Sequence, residues 1–200
     1  MSDHKLQLMR DAMERYAKLS DDTWSRLRSQ CRERRFDKGD LLVRIGEPSR
    51  YLFFVCHGLI RSFTLSEDGK EYNKHFFPEN SFPASIRTLL RGGPSEFALQ
   101  TLEPSVVLEI DHAAYRRILE AREDLKWYHI QYLEKNWVLD KEPIEVGLAI
   151  SDSRTRYQTF LKTYPELAHR IPLHHIASRI GVTPTQLSRI RKSLTEREAD

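Results

Sequence analysis

The sequence predicts an α+β chain in three parts: an N-terminal antiparallel β jelly roll, a long helix, and a small C-terminal all-α unit. Three observations carry this. Short β-branched and aromatic runs separated by turn residues fill 34–110, an apolar helical periodicity occupies 123–150, and two short helical patterns meet at Gly181. The parts divide at 1–122, 123–150 and 151–200.

The opening segment to about Cys31 reads as helix, because Leu6, Met9, Met13, Tyr16 and Leu19 recur at three- and four-residue steps. A second short helix follows Ser20, where Ser20-Asp21-Asp22 supplies capping oxygens ahead of Trp24 and Leu27. The texture then changes to the runs 41–45, 51–55, 59–65, 72–77, 97–102 and 106–110, punctuated by Gly46, Gly58, Gly69, Pro78 and Pro104. Evenly spaced short strands of this kind build a jelly roll or barrel. Asp68-Gly69 is a hairpin turn, since Gly accepts positive φ without a Cβ clash.

Helix returns at Asp111, which caps 113–119. A longer one runs from Glu123 towards Ile150, with Leu125, His129, Tyr132, Asn136, Leu139, Val146 and Ile150 near a heptad seam. That spacing suits a dimerisation helix in which Asn136 fixes register, or a helix packed on its own domain. Pro143 interrupts the pattern and should kink or break it. Ser151-Asp152 caps a further helix through about Lys162, which Thr163-Tyr164-Pro165 ends.

A chain that is 40% hydrophobic and 30% charged has material for a core and is too apolar for a disordered tail. No stretch reaches the roughly 20 apolar residues of a bilayer span, and the first residues lack a signal peptide's apolar run, so a cytoplasmic location without membrane contact is expected. Cys31 and Cys56 are too few for a four-thiolate cluster and read as small apolar residues. The net charge of +3 is uneven: 151–200 carries nine Lys/Arg against five Asp/Glu, or +4, and the remainder sums to −1. Positive charge gathered in one terminal quarter suits a phosphate backbone.

The segment 171–191 is the most informative. Leu173, Ile176, Ala177 and Ile180 form one apolar helical face, and Gly181 sits where a helix must turn left-handed. Thr183-Pro184-Thr185-Gln186 is then a capping box with proline at the first helical position. Leu187, Ile190 and Leu194 point inward from the second helix. Two short helices joined by a tight Gly-containing turn are a helix-turn-helix, whose second helix enters the major groove of double-stranded DNA. Its outward positions are Thr185, Gln186, Ser188, Arg189 and Lys192. Gln186 and Arg189 are the candidates for base reading, through adenine and guanine. Thr183, Thr185, Arg191 and Lys192 are candidates for phosphates, and Arg179 on the first helix is either a phosphate contact or simply solvated.

With these parts in order, the chain resembles the Crp/Fnr transcription factors over nearly its full length. The likeness includes Phe36-Asp37-Lys38-Gly39-Asp40, Gly46-Glu47, Phe54-Val55 and Gly58-Leu59-Ile60-Arg61, then the dimer helix and the helix-turn-helix. The resemblance implies a cyclic-nucleotide-binding-like sensor, a homodimer on a near-palindromic operator, and RNA polymerase as a partner. Its cyclic-nucleotide cassette would place Ala84-Ser85 and Ser95-Glu96 where Gly-Glu and an Arg-led pair hold ribose and phosphate. The required charges are missing, so cyclic AMP is not expected by the usual contacts. Ala84, Ser85, Arg87, Arg91, Ser95 and Glu96 mark the candidate effector pocket, for another small molecule or none; Arg87 and Arg91 would serve a different anion or are solvated loop arginines. An iron–sulfur cofactor is not expected. Only Ser193 to Asp200 follow the recognition helix, so a β-hairpin wing is expected to be missing.

Neither a metal site nor catalysis is expected. His174-His175 are adjacent and should diverge on a helix, and His57, His75, His112 and His129 are scattered, although His57 and His75 could converge in the sheet. The alternatives are a jelly-roll metal-dependent enzyme, against which the missing His-x-His spacing and phosphate loop count, and a non-DNA interaction protein that kept the architecture.

Overall fold

The computed structural model describes residues 2–140 and 151–198, with side chains through 194. Helices α1 (Asp3–Glu14) and α2 (Asp21–Arg28) precede the strands β1 (Cys31–Phe36), β2 (Leu41–Val43), β3 (Tyr51–His57), β4 (Ile60–Leu65) and β5 (Glu71–Phe77). A short helix α3 (Ile86–Arg91) leads to β6 (Ala98–Thr101) and β7 (Ser105–Asp111). Then follow α4 (His112–Ala121), α5 (Glu123–Leu133), a π-helical stretch Glu134–Leu139, α6 (Ser153–Thr163), α7 (Leu173–Ile180) and α8 (Pro184–Glu198).

The strands form two antiparallel sheets in the orders β1-β7-β3 and β2-β6-β4-β5. Between them pack Val43, Phe53, Val55, Ile60, Leu99 and Val107. The other face of the first sheet contributes Cys31, Phe54, Leu108 and Ile110 to a core shared with α1, α2, α4 and α5. With cover on both faces, β7 is buried at consecutive positions from Val107 to Ile110 and does not alternate as a half-exposed strand does. The turn at 66–70 closes through Gly69 N–H to the Ser66 carbonyl, with Gly69 at φ 77°. Ser20 and Asp111 cap α2 and α4 by accepting from Thr23 N and Ala114 N.

The strand β1 and the helix α3 have no counterpart in the sequence reading. The four central positions of β1 are Arg32, Glu33, Arg34 and Arg35, so pairing with β7 rather than apolar content makes it a strand. The expected break at Pro143, and the seam positions Val146 and Ile150, lie outside the described residues.

The predicted dimer seam requires correction. Leu125 is fully buried in the core beneath α5. Tyr132 packs on Tyr16, Tyr128 and Phe82, Asn136 donates to the Tyr16 hydroxyl at 3.1 Å, and His129 meets the Tyr115 hydroxyl at 3.0 Å. Of the five, only Leu139 is exposed. The apolar surface of this helix lies instead at Trp127, Ile130, Leu133, Trp137, Val138 and Leu139. A three-to-four spacing does not say which of two apolar stripes meets the protein's own core, and of the two readings the inward packing of Leu125 fits a helix packed on its own domain.

Gly58 holds φ 100°, and a Cβ there would stand 2.2 Å from the Ser105 hydroxyl and 2.8 Å from its Cα. Gly58→Ala should therefore lower unfolding stability by about 2–3 kcal/mol in urea titration. An unchanged midpoint would show that β7 yields at this contact.

Candidate nucleic-acid interface

The turn between α7 and α8 is built as its sequence specifies. Gly181 is left-handed at φ 70°, ψ 40°, and its N–H reaches the carbonyl of Ser178. Thr183 N–H donates to Gln186 Oε1 at 2.9 Å and Gln186 N–H to Thr183 Oγ1 at 3.2 Å, the reciprocal bonds of a capping box. Leu187 is fully buried, and Ile190 and Leu194 pack on the same core. Arg156 of α6 braces the unit by donating to the carbonyls of Ile180 and Ser151 at 2.8 and 2.6 Å, a role that nothing in its sequence context signalled.

The outer side of α8 faces solvent: Thr183, Thr185, Gln186, Ser188, Arg189, Arg191 and Lys192 are all exposed. Their chemistry is not equal. The Gln186 carbonyl oxygen is held in the cap, so bidentate adenine reading would cost that bond. Ser188 Oγ donates back to the Pro184 carbonyl at 3.0 Å. Arg189 makes no hydrogen bond or ion pair among the described residues, which leaves its planar fork available.

Arg179 is corrected: it is buried rather than open to a phosphate, lies against Tyr164, and its Nε has no hydrogen-bond partner among the described residues. Arg170 is likewise spent inside the protein, on Glu79 at 3.0 Å and on Glu103. Two of the nine cations counted in 151–200, Arg170 and Arg179, are thus turned inward, and the basic surface is narrower than composition implies.

The C-terminal unit docks on the outer face of the second sheet. Leu59, Phe76 and Leu102 share a core with Tyr157, Phe160, Tyr164, Leu167 and Ile171. Beside this core the Arg61 guanidinium is buried at 3% exposure. It donates to Gln100 Oε1 at 2.9 and 2.6 Å, Glu71 Oε1 at 3.0 Å, Asn73 Oδ1 at 3.2 Å and His175 Nδ1 at 2.9 Å, and lies 3.9 Å over the Phe63 ring. Strand β5 is a sheet edge, and α7 covers it: Asn73 N–H donates to Ser178 Oγ, which donates to the Glu71 carbonyl at 2.6 Å.

Because guanidinium only donates, His175 Nδ1 must accept, which fixes a neutral ring with its proton on Nε2. Burial, Arg61 and His174 push the His175 pKa down to about 4, against an opposing pull from Glu71. The rings of His174 and His175 do not diverge as expected; their centroids are 4.0 Å apart. His75, packed against Phe77 and Tyr164, is also pushed to about 4 by desolvation, Arg179 and Lys74. His57 lies elsewhere, 3.8 Å from Glu79, so the two sheet histidines do not converge.

Residues 33–122, the roll with α3 and α4, match the family described as cyclic nucleotide-binding domain. In sequence, the potassium channel KOR1 of Oryza sativa subsp. japonica is 29% identical over 92 residues, 46% of this chain and 10% of the channel. The chain thus spans about a tenth of that relative's length. In structure, the c-di-GMP responsive global regulator CLP of Xanthomonas campestris superposes with a TM-score of 0.71 at 18% identity, covering 90% of this chain and 93% of CLP. FixK2 of Bradyrhizobium japonicum gives 0.71 at 19%, over 84% and 86% of the two chains. A protein described as of the Crp/Fnr family from Eubacterium rectale gives 0.71 at 14%, over 90% and 85%. The fold is that of the Crp/Fnr regulators.

Within the Crp/Fnr fold the cassette residues do come together, but they satisfy one another. The Ser85 hydroxyl donates to Ser95 Oγ at 2.7 Å and meets the Thr88 hydroxyl at 3.1 Å, while Ser95 Oγ donates to the Phe97 carbonyl. Ala84 is half-buried beside them. Arg87 pairs with Glu96 on the surface, and Arg91 is exposed. The expectation that Arg87 and Arg91 serve an anion here is corrected: one is neutralised by its neighbour and neither joins the buried hydroxyls. Burial pushes the Cys31 and Cys56 thiols up to about 12 and about 11, so both stay protonated. Among the described residues no three His, Cys, Asp or Glu side chains converge on a metal position, and no helix is long and apolar enough to cross a membrane.

The depressed histidines make docking pH-dependent. Both rings bind protons more readily in the unfolded chain, near 6.5, than in the folded one, near 4. Stability should be level above about pH 7 and fall as pH drops from about 6.5 towards 4. Urea midpoints at pH 7.5 and 5 test this, and His175→Gln, which keeps an acceptor without titrating, should shrink the difference. Equal midpoints at the two pH values would show that the rings are not held neutral.

Proposed function

We propose that the chain is a sequence-specific DNA-binding transcriptional regulator of the Crp/Fnr type, acting as a homodimer on a near-palindromic operator. The observation that carries this reading is the solvent-facing outer side of α8, where Arg189 makes no hydrogen bond or ion pair among the described residues, on a helix whose inner side is locked into the core. A helix held in this way can enter a major groove without rearranging the protein, and an arginine fork near its middle can pair with guanine O6 and N7. Thr183, Thr185, Arg191 and Lys192 are assigned to phosphates and Ser188 to a minor role, since its hydroxyl is engaged.

Dimerisation is assigned to the exposed apolar face of α5 and the π-helical stretch. A contiguous strip carrying Trp127, Ile130 and Trp137 on an otherwise charged surface is the kind of patch that a partner covers. Two copies joined there would present two recognition helices to half-sites about one DNA turn apart. RNA polymerase is the partner through which such a protein would act, in the cytoplasm and without catalysis of its own. The effector is not assigned to cyclic AMP, because the cassette offers a ring of mutually bonded hydroxyls and no cation. CLP is named for its response to c-di-GMP; this chain's cassette gives no separate support for that ligand.

Titration against a random-sequence DNA pool at two salt concentrations tests the reading. Arg189→Ala should weaken the selected site by about 1–3 kcal/mol and relax preference at one base pair. An equal loss on every sequence would make Arg189 a phosphate contact instead. Ile130→Glu should convert the protein to a monomer in sedimentation and abolish high-affinity binding while the fold, read by circular dichroism, is kept. A variant that stays dimeric would place the interface elsewhere.

A further inference from the structure

The roll carries a second polar recess, apart from the cassette. At the end of the first sheet, where β1, β3 and β7 meet the start of α4, lies a cavity of about 590 Å³. Its walls carry Arg32 of β1, Arg50 ahead of β3 and Arg117 of α4, with Glu109 and Tyr51 in the sheet and Ser49 in the loop before it. Only Leu89 of α3 belongs to the cassette region. We propose that this cavity is a binding site for a phosphorylated small molecule that also carries hydroxyl or N–H donors, and that it is where the effector acts.

Three separate features point to such a ligand. Arg32 and Arg117 make no hydrogen bond or ion pair among the described residues, and Arg50 spends only its Nε on Asp111 at 2.7 Å. Three arginines from three different segments thus line one space, a composition that suits a phosphate ester. Asp111, the one fully engaged carboxylate, is neutralised twice over, by Arg50 and by capping α4 through Ala114 N–H at 2.9 Å. Ser49, in the same wall, has a hydroxyl without a hydrogen-bond partner among the described residues, an unmet polar group beside the cavity.

The third feature is Glu109, 7% exposed in the row Arg32–Glu109–Phe53 across the three strands. Its nearest cation, Arg34 on the solvent side, is 3.4 Å away, and burial pushes the carboxyl up despite the arginines near it. A buried acceptor beside an arginine-lined mouth matches a molecule with an anion at one end and donors at the other. The volume lies within the usual range of ligand cavities, roughly 300–1,000 Å³.

The site is also connected to the output. His112, Ala113 and Ala114 at the start of α4 form part of its wall, and Tyr115 in the next position bonds His129 of α5, the helix assigned to the dimer. Filling the cavity would bias α4, and α4 is tied to α5. This regulatory purpose rests on the DNA reading, whereas binding itself does not.

Calorimetric titration of the full chain at low salt, without DNA, tests the site with ribose 5-phosphate and guanosine 5′-monophosphate as probes and inorganic phosphate as the bare anion. At least one ester should bind saturably, one per chain and more tightly than phosphate. Arg32→Ala and Arg117→Ala, both at exposed positions, should each weaken it about tenfold or more with the fold kept by circular dichroism, while Arg91→Ala in the cassette leaves it unchanged. Esters that bind no better than phosphate, or variants that bind as the parent does, would overturn the proposal. A protein that takes the ester yet selects no DNA would keep the site and lose the regulator; one that selects DNA and ignores the esters would do the reverse.

Discussion

A guanidinium leaves water only where its donors are met, and at Arg61 they are met from two domains at once. Glu71, Asn73 and Gln100 come from the sheet and His175 from α7, with the Phe63 ring beneath. Removing any one partner would leave part of a buried cation unpaired, which is costly in a way that losing a surface contact is not. The helix-turn-helix is therefore held against the roll by a bond set whose members depend on one another, beside an apolar core that both domains share. The orientation of α8, and with it the direction in which Arg189 points, follows from this contact.

The rest of the architecture serves to make that contact rigid. Both sheets are covered on both faces: the first by the N-terminal helices and α5, the second by the C-terminal unit. The edge of β5 is closed by Ser178 rather than left to water. Arg170 bridges Glu79 and Glu103 at the margin of the same interface. These contacts leave three surfaces unused, to which the proposals above assign function: the outer side of α8, the apolar strip of α5, and the arginine-lined end of the first sheet.

What could be read from sequence divides along a physical line. Local rules carried well: the capping box at Thr183 and Gln186, the left-handed Gly181, the Ser20, Asp111 and Asp152 caps, and the turn at Gly69 all depend on neighbours in the chain. The jelly roll was visible because its turns are locally encoded. Long-range pairing was not. Strand β1 is charged at four of its six positions and becomes a strand only by pairing with β7. The burial of Arg179 and Arg61, the inward face of Leu125 and Asn136, and the mutual pairing of Ser85 with Ser95 are all set by residues distant in sequence. Of the candidate site, the second helix and its outward positions were legible; which of its polar groups are already engaged was not, because Gln186 and Ser188 bond within their own turn in ways that their residue types allow but do not require.

The central claim is that α8 lies in a major groove and that two copies do so together. Hydroxyl-radical footprinting of the dimer on a fragment enriched from random DNA tests it most directly. Two protected windows on one face of the duplex, about one helical turn apart, are the predicted result. Protection spread evenly along the fragment, or a pool from which no sequence is enriched, would contradict it.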